Sequence, residues 1–524
     1  MKIHIQHKYV VLPVNTNMVS KKIRLIEDGN LIFDFDCKVD AVSPKHKAYV
    51  DVERFIGKTV EITINPHMNV EIGFSDVKEY PNLWRESLRP KIHFTVKSGY
   101  NNDPNGLIYH KGVYHMFYQH NPCSNQWGNM HWGHAISTDL IHWEEQDCAL
   151  FPDELGTMFS GCAIEDKKNC TGICQDDSPA MLLFYTAAGN ENIISKGRLF
   201  TQCLAYSVDG GKSFLKYKGN PIIEHIADQN RDPKVVWVDE INKYVMVIYL
   251  TEDLYRMLSS TDLLNWTPFQ DIHIRGEREC PDLYSIMCDG EKKWVLSGGS
   301  DYYVVGRFTK NAYVIDASER RLTFSAVSYA AQSFSGMEDG RVVRIWWDKN
   351  RTRFFDHRFS QQMSIPVEMR LNKIDDRYYL SALPVEEISG LYKENIVIEN
   401  KVLTEPVRLN VGINPLDISL KMPYVNDTCV TLSIFGAKIR LDTTQNNLLF
   451  ERLKMPISLR GDAIYLRVVV DTCSVEIFTD NGHFCLSEWF VCDPNLPYVE
   501  ISASSEVKIL DLSCHVLESI HEDK

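Results

Sequence analysis

The chain has 524 residues, about three times the length of an ordinary domain of roughly 150 residues, so two or three domains are expected. Lysine and arginine total 56 against 70 aspartate and glutamate residues, and the net charge of −14 disfavours nucleic acid and anionic membranes as partners. Hydrophobic residues (44%) and charged residues (24%) occur in ordinary globular proportions, which argues against a mainly disordered, collagen-like or coiled-coil chain.

The first residues, Met1–Lys8, are basic but contain no long apolar run and no small-residue cleavage site, so no secretion signal is predicted. The longest apolar runs, such as 244–250, are far shorter than the ~20 residues that a membrane span requires. Fourteen cysteines are scattered along the chain without a dense framework, which favours free thiols and a cytoplasmic location. Cys170 and Cys174 have no second pair at zinc-finger spacing, so no metal is predicted there.

Short runs rich in valine, isoleucine, tyrosine and phenylalanine recur along the whole chain, separated by turn dipeptides, and predict strands. Examples are 59–64, 113–118, 243–249 and 474–478. Sustained helical periodicity is nearly absent. We therefore expect an all-β protein, and sandwiches, barrels and propellers are the usual ways for such a chain to protect its sheet edges.

A weak repeat occupies the middle of the chain. Segments 137–143, 207–214 and 260–266 share a serine, an aspartate two residues later, a turn and an aromatic residue, and 315–324 is interpreted as a degenerate fourth copy. The closing aromatics lie about 50 to 70 residues apart, which is the length of a four-stranded blade with its loops. The repeat favours a propeller of at least four blades over a sandwich, although such turns also recur by chance in β proteins.

Three segments contain candidate catalytic carboxylates: Asp103 within Asp-Pro-Asn-Gly, Asp232 after an arginine, and Glu279 in a charged loop. Alone, each has an ordinary structural interpretation as a turn, a surface ion pair or a loop. Aromatic and amide side chains are dense between 99 and 134, and that composition is typical of a sugar subsite. The innermost strands of successive blades converge at the axis of a propeller and could bring the three carboxylates together.

The motifs Asn102–Gly106, Phe159–Gly161, Arg231–Pro233 and Glu279–Cys280 occur in the order and spacing of glycoside hydrolase family 32, which the chain resembles over nearly all of residues 91–518. Lesser matches are 127–134, Tyr329 to Gln332 and Asp471 to Phe478. The resemblance implies a five-bladed propeller followed by a β-sandwich, with a small sandwich-like domain in front. We predict domains at 1–90, 91–375 and 385–524.

The resemblance also implies the roles of the site residues. Asp103 would be the nucleophile, Glu279 the general acid/base, and Asp232 a transition-state stabiliser that binds fructosyl hydroxyls. A retaining glycosidase needs one ionised carboxylate to attack and a protonated one to assist the leaving group. The substrate-binding positions implied are Asn102, Gln119, Trp127, Phe159, Ser160, Arg231, Trp347 and Tyr100. No cofactor and no metal is expected for this chemistry.

Three further expectations concern individual side chains. Glu279 must hold its proton near neutral pH, and burial beside Asp103 and Asp232 would raise its pKa. Cys280 is expected to be a small packing group rather than a nucleophile. Tyr100 stands where the family usually has tryptophan, and Val327 where its bacterial members often have aspartate, so the floor and the rim of the pocket are expected to differ.

The function expected is that of a retaining exo-β-fructofuranosidase acting on fructo-oligosaccharides, fructans of the inulin or levan type, or sucrose. Two alternatives stay open. A fructosyltransferase would use the same three carboxylates but pass the fructosyl group to a sugar, and a catalytically silent protein would only bind fructan. The sandwich domains are candidate surfaces for homo-oligomer formation.

Overall fold

The computed structural model describes residues 1–174, 178–349 and 357–521, and nearly all of its regular structure is β-strand. Short 3-10 helices occur in that part of the chain at Glu53–Phe55, Glu386–Leu391 and Asp480–Gly482. None of the helices found among these residues is long and apolar enough to cross a membrane. The all-β prediction is confirmed.

The first seven strands form two small antiparallel sheets with one apolar core. Their bounds are β1 Lys2–His4, β2 Tyr9–Val14, β3 Lys21–Glu27, β4 Asn30–Cys37, β5 His46–Asp51, β6 Thr59–Asn65 and β7 Gly73–Ser75. The strand orders are β1-β6-β3-β4 and β5-β2-β7. Alternating apolar residues, such as Ile23 and Leu25 in β3 and Val10 and Leu12 in β2, point into the shared core. The segment therefore has the predicted sandwich-like form.

The next 22 strands form five sheets, built as successive antiparallel meanders. Their bounds are β8 Gly99–His110, β9 Val113–Asn121, β10 His131–Ser137, β11 Glu144–Glu145, β12 Thr157–Glu165, β13 Met181–Ala188, β14 Thr201–Ser207, β15 Leu215–Lys216, β16 Arg231–Val238, β17 Lys243–Thr251, β18 Leu254–Ser260, β19 Thr267–His273, β20 Asp282–Cys288, β21 Glu291–Ser297, β22 Tyr302–Phe308, β23 Tyr313–Arg321, β24 Ser328–Ser333, β25 Val342–Asp348, β26 Phe359–Ser360, β27 Gln362–Met363, β28 Val367–Ile374 and β29 Arg377–Pro384. The sheets begin with β8, β12, β16, β20 and β24, and β26 adds to β8 in parallel.

The first strands of the five sheets meet at the centre. Strands β8, β12, β16, β20 and β24 each contact the next, and β24 contacts β8. The backbone of Ser335 bonds to Leu107 and Tyr109 across this last contact, at 2.9 Å each. Deeper in the centre, buried Lys234 lies 2.8 Å from Asp282 and bonds to Ser333, which ties three of these strands together. Five sheets whose first strands meet in this way match the five-bladed β-propeller that the family resemblance implies.

The repeated Ser-x-Asp segments are turns that follow the third strand of the first three sheets. In each turn the serine hydroxyl donates to the aspartate two residues later, at 3.0, 2.7 and 3.0 Å. The next residue, Leu140, Gly210 or Leu263, has the same left-handed backbone conformation, with φ of 66°, 76° and 65°. The proposed fourth copy was wrong, because Asp316 lies inside strand β23.

The fifth sheet extends through β29 to Pro384, beyond residue 375, where the propeller was predicted to end. Ile374 pairs with Arg377, so β28 and β29 are joined by a two-residue turn at Asp375 and Asp376. Both have positive φ, of 49° and 59°. Such turns usually contain glycine or asparagine, and an Asp-Asp pair gives a weaker signal in the sequence.

The last twelve strands form two six-stranded sheets that enclose a second large apolar core. Their bounds are β30 Tyr392–Leu403, β31 Val407–Asn410, β32 Leu416–Pro423, β33 Cys429–Ile434, β34 Ala437–Asp442, β35 Asn447–Phe450, β36 Leu453–Pro456, β37 Ala463–Val470, β38 Ser474–Thr479, β39 Phe484–Trp489, β40 Tyr498–Ala503 and β41 Val507–Leu517. The orders are β30-β41-β32-β37-β38-β39 and β31-β40-β33-β34-β35-β36. This is the predicted C-terminal sandwich.

The propeller and the C-terminal sandwich share a continuous core. Phe478, Cys485 and Trp489 of the sandwich pack in the same apolar cluster as Val343 and Val367 of the fifth sheet. All fourteen cysteines lie in the described part of the chain, and none of them forms a disulfide, as expected. The predicted domain limits themselves stay predictions.

Candidate active site

The five central strands bring polar side chains to one pocket of about 340 Å³. Asp103 lies in β8, Ser160 in β12, Asp232 in β16 and Tyr329 in β24, while Glu279 lies just before β20. The three carboxylates predicted from separate motifs therefore line the same cavity.

Irregularities in the backbone of the central strands change the direction in which these side chains point. Strand pairing shifts register in four of the central strands, between Asn101 and Pro104, Phe159 and Gly161, Arg231 and Lys234, and Tyr329 and Gln332. Each shift lies at a residue that lines the pocket. A bulge turns a side chain away from regular alternation, so residues that would point into a sheet face can point into the cavity.

Positive φ angles concentrate at the carboxylates, with 64° at Asp232, 54° at Glu279 and 41° at Cys280. Such conformations cost about 1–3 kcal/mol each in residues other than glycine and persist where the surroundings enforce them. Here the Asp232 amide donates to Thr186 Oγ1 at 2.9 Å, and the Tyr255 hydroxyl donates to the Glu279 carbonyl at 3.0 Å. The strained backbone is thus fixed by bonds from neighbouring strands.

The carboxylates are linked by their neighbours. Ser160 Oγ donates to Asp103 Oδ2 at 2.6 Å, and the Cys280 thiol lies 3.6 Å from Oδ2 of both Asp103 and Asp232. Arg231 Nη2 bonds to Glu279 Oε1 at 2.5 Å, and its Nε lies 3.7 Å from Asp232 Oδ2. One thiol thus lies between the two aspartates, and one guanidinium lies between Asp232 and Glu279.

Burial dominates the titration of the two aspartates. It raises the pKa of Asp103, and the charge of Glu279 adds to this effect while the Ser160 hydroxyl opposes it. Burial also raises the pKa of Asp232 to about 7, although Arg231 opposes the shift. Burial raises the pKa of the Cys280 thiol as well, so this group is neutral, in agreement with a packing role.

The expectation of a raised pKa at Glu279 was wrong. Burial does raise the pKa, as predicted, but the charge of Arg231 and hydrogen bonds from Tyr329 and Arg231 outweigh burial and lower it. The Tyr329 hydroxyl donates to Glu279 Oε2 at 2.6 Å. The prediction from the sequence considered the carboxylates of Asp103 and Asp232, but not the hydrogen bonds that Tyr329 and Arg231 donate to Glu279.

The predicted substrate-binding residues line the pocket, with one exception. Gln119 is held by a 2.8 Å bond from Nε2 to the Met158 carbonyl. The indole of Trp127 is 53% exposed and meets the Phe159 ring edge to face at 6.1 Å between centroids. Trp347 donates from Nε1 to Gln361 Oε1 at 3.1 Å, so a fixed bond orients this wall.

The exception is Tyr100, which does not line the pocket. Its ring is buried and packs edge on against Trp347, with centroids 6.4 Å apart. Tyr100 therefore supports a wall of the pocket, and its role in substrate binding stays a prediction. Val327 is also absent from the pocket lining, because its side chain belongs to the apolar core of the propeller.

Five further pocket residues were not among the predicted site residues: Tyr329, Glu191, Phe200, Gln229 and Cys280, the last of which was expected only to pack beside Glu279. Tyr329 belongs to the Tyr-Ala-Ala-Gln segment, which had been noted only as a lesser match, so a signal for it existed. Glu191 and Gln229 lie in loops without a recognisable motif. Tertiary structure alone brings them to the pocket.

Within the described residues, one group of side chains meets the geometric requirements of a cation site: His93, Asp348 and Glu476. The group is buried outside the pocket, and both His93 ring nitrogens already contact carboxylates, of Asp471 at 2.8 Å and Glu476 at 3.2 Å. An ion-paired histidine accounts for this cluster. The expectation that the chemistry requires no metal stays a prediction.

Two curated relatives illustrate the similarity of the chain to known enzymes. A levanase from Bacillus subtilis is 29% identical over 518 residues, which cover 88% of this chain and 75% of the levanase. An invertase from Schizosaccharomyces pombe is 36% identical over 289 residues, which cover 50% of this chain and 49% of the invertase. The chain thus matches about half of the length of that invertase.

Solved structures share the fold. An exo-inulinase from Aspergillus awamori superposes with a TM-score of 0.75 at 24% identity and covers 85% of this chain and 100% of its own. The β-fructofuranosidase from Schwanniomyces occidentalis, solved with fructosyl-erythritol, gives a TM-score of 0.73 at 25% identity over 82% and 98% of the two chains.

Family models describe the two large parts of the chain. The model for the glycosyl hydrolases family 32 C-terminal domain matches residues 429–516. The model for the glycosyl hydrolases family 32 N-terminal domain matches residues 93–382, the propeller with its three carboxylates. Because this second match alone spans more than half of the 524 residues, the chain is a member of glycoside hydrolase family 32.

Proposed function

We propose that the protein is a retaining exo-β-fructofuranosidase that removes terminal fructose from short fructo-oligosaccharides, inulin- or levan-type fructans, or sucrose. The observation that carries the proposal is the convergence of Asp103, Asp232 and Glu279 on one pocket with aromatic walls. Paired carboxyl groups and stacking rings are what glycosidic bond cleavage requires. The levanase and invertase named above support this substrate class.

In the first step, Asp103 would attack the anomeric carbon of the fructosyl ring while Glu279 gives its proton to the departing oxygen. The Ser160 hydroxyl favours the ionised form of Asp103 that attack requires. Asp232 would accept hydrogen bonds from fructosyl hydroxyls as positive charge develops on the ring. The fructosyl-enzyme bond would then be broken by water that Glu279 deprotonates.

The test is fructose release by the purified chain from sucrose, inulobiose, levanbiose and both polymers. Asp103→Asn is expected to lower kcat at least about 1000-fold, because the nucleophile is lost. Asp239→Asn, at an exposed aspartate in the loop after β16, is the matched control and should retain wild-type kcat. Wild-type rates in Asp103→Asn would overturn the proposal.

Product analysis distinguishes the alternatives. Proton NMR of the first product should show β-fructose, as retention requires. Growth of oligosaccharides at high sucrose would instead identify a fructosyltransferase using the same carboxylates. Binding of fructan without any release of reducing sugar would identify a catalytically silent protein.

We also propose a cytoplasmic location and self-association through the sandwich domains. The location is supported by fourteen cysteines that form no disulfide. Cell fractionation tests the location, and light scattering of the purified chain tests the oligomeric state.

A further inference from the structure

The pocket residue Trp127 lies on a loop that the rest of the propeller holds only in part. The loop, residues 122–130, connects β9 to β10. The indole is 53% exposed and meets the edge of Phe159. With so much of the ring in solvent, the position of Trp127 depends on the backbone that carries it.

The backbone of the N-terminal domain, which contains strands β1 to β7, forms hydrogen bonds to this loop. Asn129 accepts a hydrogen bond from the Asp36 amide through Oδ1 and donates from Nδ2 to the Asp36 carbonyl, both at 2.8 Å. Asp36 lies in β4, an edge strand that pairs only with β3 in its sheet. The Asn129 amide therefore satisfies an N–H and a C=O at the open edge of the sheet, as another strand would.

Further hydrogen bonds connect Asn129 to the part of the loop that carries Trp127. Its Nδ2 also donates to Asn121 Oδ1 at 3.1 Å, and Asn121 Nδ2 donates to the carbonyl of Gln126 at 2.7 Å. Gln126 immediately precedes Trp127. Asn129 has a φ of 46°, a left-handed conformation that asparagine tolerates better than most residues.

Apolar contacts hold both sides of the same loop against the domain. Cys123 is buried in the core of the N-terminal domain, and its carbonyl lies 3.5 Å from the Cys37 thiol. The ring of His131, at the start of β10, meets the ring of Phe33 edge to face at 6.3 Å. The loop is thus packed at both ends and bonded between them.

We propose that the N-terminal domain is a positioning element of the active site, and that Asn129, held by the Asp36 backbone, is the positioning residue that fixes Trp127 as a pocket wall. This inference rests on the proposed function for the role of Trp127 in sugar binding. It assigns the first 75 residues a part in substrate affinity.

The test is a double-mutant cycle of Asn129→Gly and Trp127→Ala in the full chain. Glycine keeps the left-handed backbone and removes only the amide. Asn129→Gly is expected to raise KM about fivefold with kcat changed less than about twofold, and Trp127→Ala to raise KM about tenfold. In the Trp127→Ala background, Asn129→Gly should have no further effect, because the wall it positions is gone.

Asn446→Gly is the matched control. Asn446 also has a positive φ, of 48°, and an amide bond to a carbonyl, that of Ser458 at 2.9 Å, but it lies in the C-terminal sandwich. Its KM should be that of the wild type. The proposal is overturned if Asn129→Gly has wild-type KM, or if it raises KM by the same factor with and without Trp127.

A second measurement needs no substrate. Amide hydrogen exchange of peptides covering 122–130 should be at least about tenfold faster in Asn129→Gly, with exchange in β12 and β16 unchanged. Unchanged exchange in the loop would overturn the proposal that the N-terminal domain positions it. If the wild-type protein releases no fructose but Asn129→Gly shows the expected exchange, the proposed function is refuted. The positioning of the loop by the N-terminal domain is then still supported.

Discussion

At the scale of single residues, the buried carboxylate of Asp232 lowers the stability of the folded protein. Its carboxyl is 5% exposed, its φ is 64°, and burial raises its pKa to about 7. Between pH 4 and 7 the folded protein therefore holds a proton that the unfolded chain has lost. Stability falls as pH rises through this window, and the penalty is complete above about pH 7.

Asp232→Asn should therefore stabilise the protein while removing its activity. Asparagine tolerates the same φ and carries no charge, so we expect a gain of about 2 kcal/mol at pH 8 and almost none at pH 4. Thermal unfolding of both proteins at the two pH values measures the difference. A gain independent of pH, or one shared by the control Asp239→Asn, would contradict the argument.

Tyr329 offers a second prediction at this scale. Its hydroxyl bonds to Glu279 Oε2 at 2.6 Å and helps to lower the pKa of Glu279. Tyr329→Phe removes that bond, so the pKa of Glu279 rises and the acid form persists to higher pH. The alkaline limb of the kcat/KM profile should move to higher pH.

The control for this prediction is Tyr249→Phe. It keeps the ring that lies 4.7 Å from the Arg231 guanidinium and should leave the profile in place. If the alkaline limb stays fixed in Tyr329→Phe, or moves to lower pH, the bond from Tyr329 does not set the pKa that determines this limb.

At the scale of elements, the Ser-x-Asp turns are the clearest local unit. Asp262 accepts backbone bonds from Leu264 at 3.0 Å and Asn265 at 2.7 Å, and side-chain bonds from Ser260 Oγ at 3.0 Å and Asn265 Nδ2 at 2.8 Å. Asp262→Ala should lower the free energy of unfolding by about 1–2 kcal/mol, because four acceptor contacts are lost in one turn. Denaturant unfolding measures the loss.

The turn is remote from the pocket, so kcat and KM of Asp262→Ala should not change. Asp253→Ala, which removes only an exposed pair with His273, should cost less than about 0.5 kcal/mol. Equal losses in the two variants would show that the turn bonds contribute nothing beyond a surface ion pair.

These elements also show what sequence patterns can predict. Three of the four predicted repeat copies were right, because turn chemistry is local and leaves serine, aspartate and an aromatic at fixed spacing. Asp-Pro-Asn-Gly by itself suggested a tight turn, yet it lies inside β8, because pairing with β9 extends the strand through two bulges. Tertiary pairing overrides local preference there, and Asp103 owes its direction to one of those bulges.

The whole molecule contains contacts that no local pattern reveals. Asp471 of the sandwich accepts backbone bonds from Lys91, Ile92 and His93 of the propeller, across some 380 residues of sequence. The sequence marked Asp471 to Phe478 as a family-like segment but indicated no partner for Asp471. Partners at this distance follow only from the assembled fold.

His93 is the buried cation of this junction and has a definite pH signature. Burial alone would lower its pKa, but bonds to Asp471 and Glu476 outweigh burial and raise it to about 10. Asp348 also faces the cluster. Because the folded pKa exceeds the ordinary 6.5, the stabilisation is complete below about pH 6.5 and is lost as pH rises through about 10.

His93→Gln should therefore destabilise the protein strongly at pH 7, by about 3 kcal/mol, because two carboxylates lose their buried cation. The difference from wild type should shrink steadily toward pH 10.5, where the wild-type imidazole is neutral as well. Thermal unfolding of both proteins from pH 6 to 10.5 measures this convergence, since titrating groups outside the cluster are common to both. Within the cluster, the charge of His93 lowers the pKa of Asp348, so the titration of Asp348 contributes to the difference as well. His273→Gln, at an exposed ion pair, should follow the wild type throughout. A deficit of the same size at every pH would mean that His93 acts through its shape and packing rather than its charge.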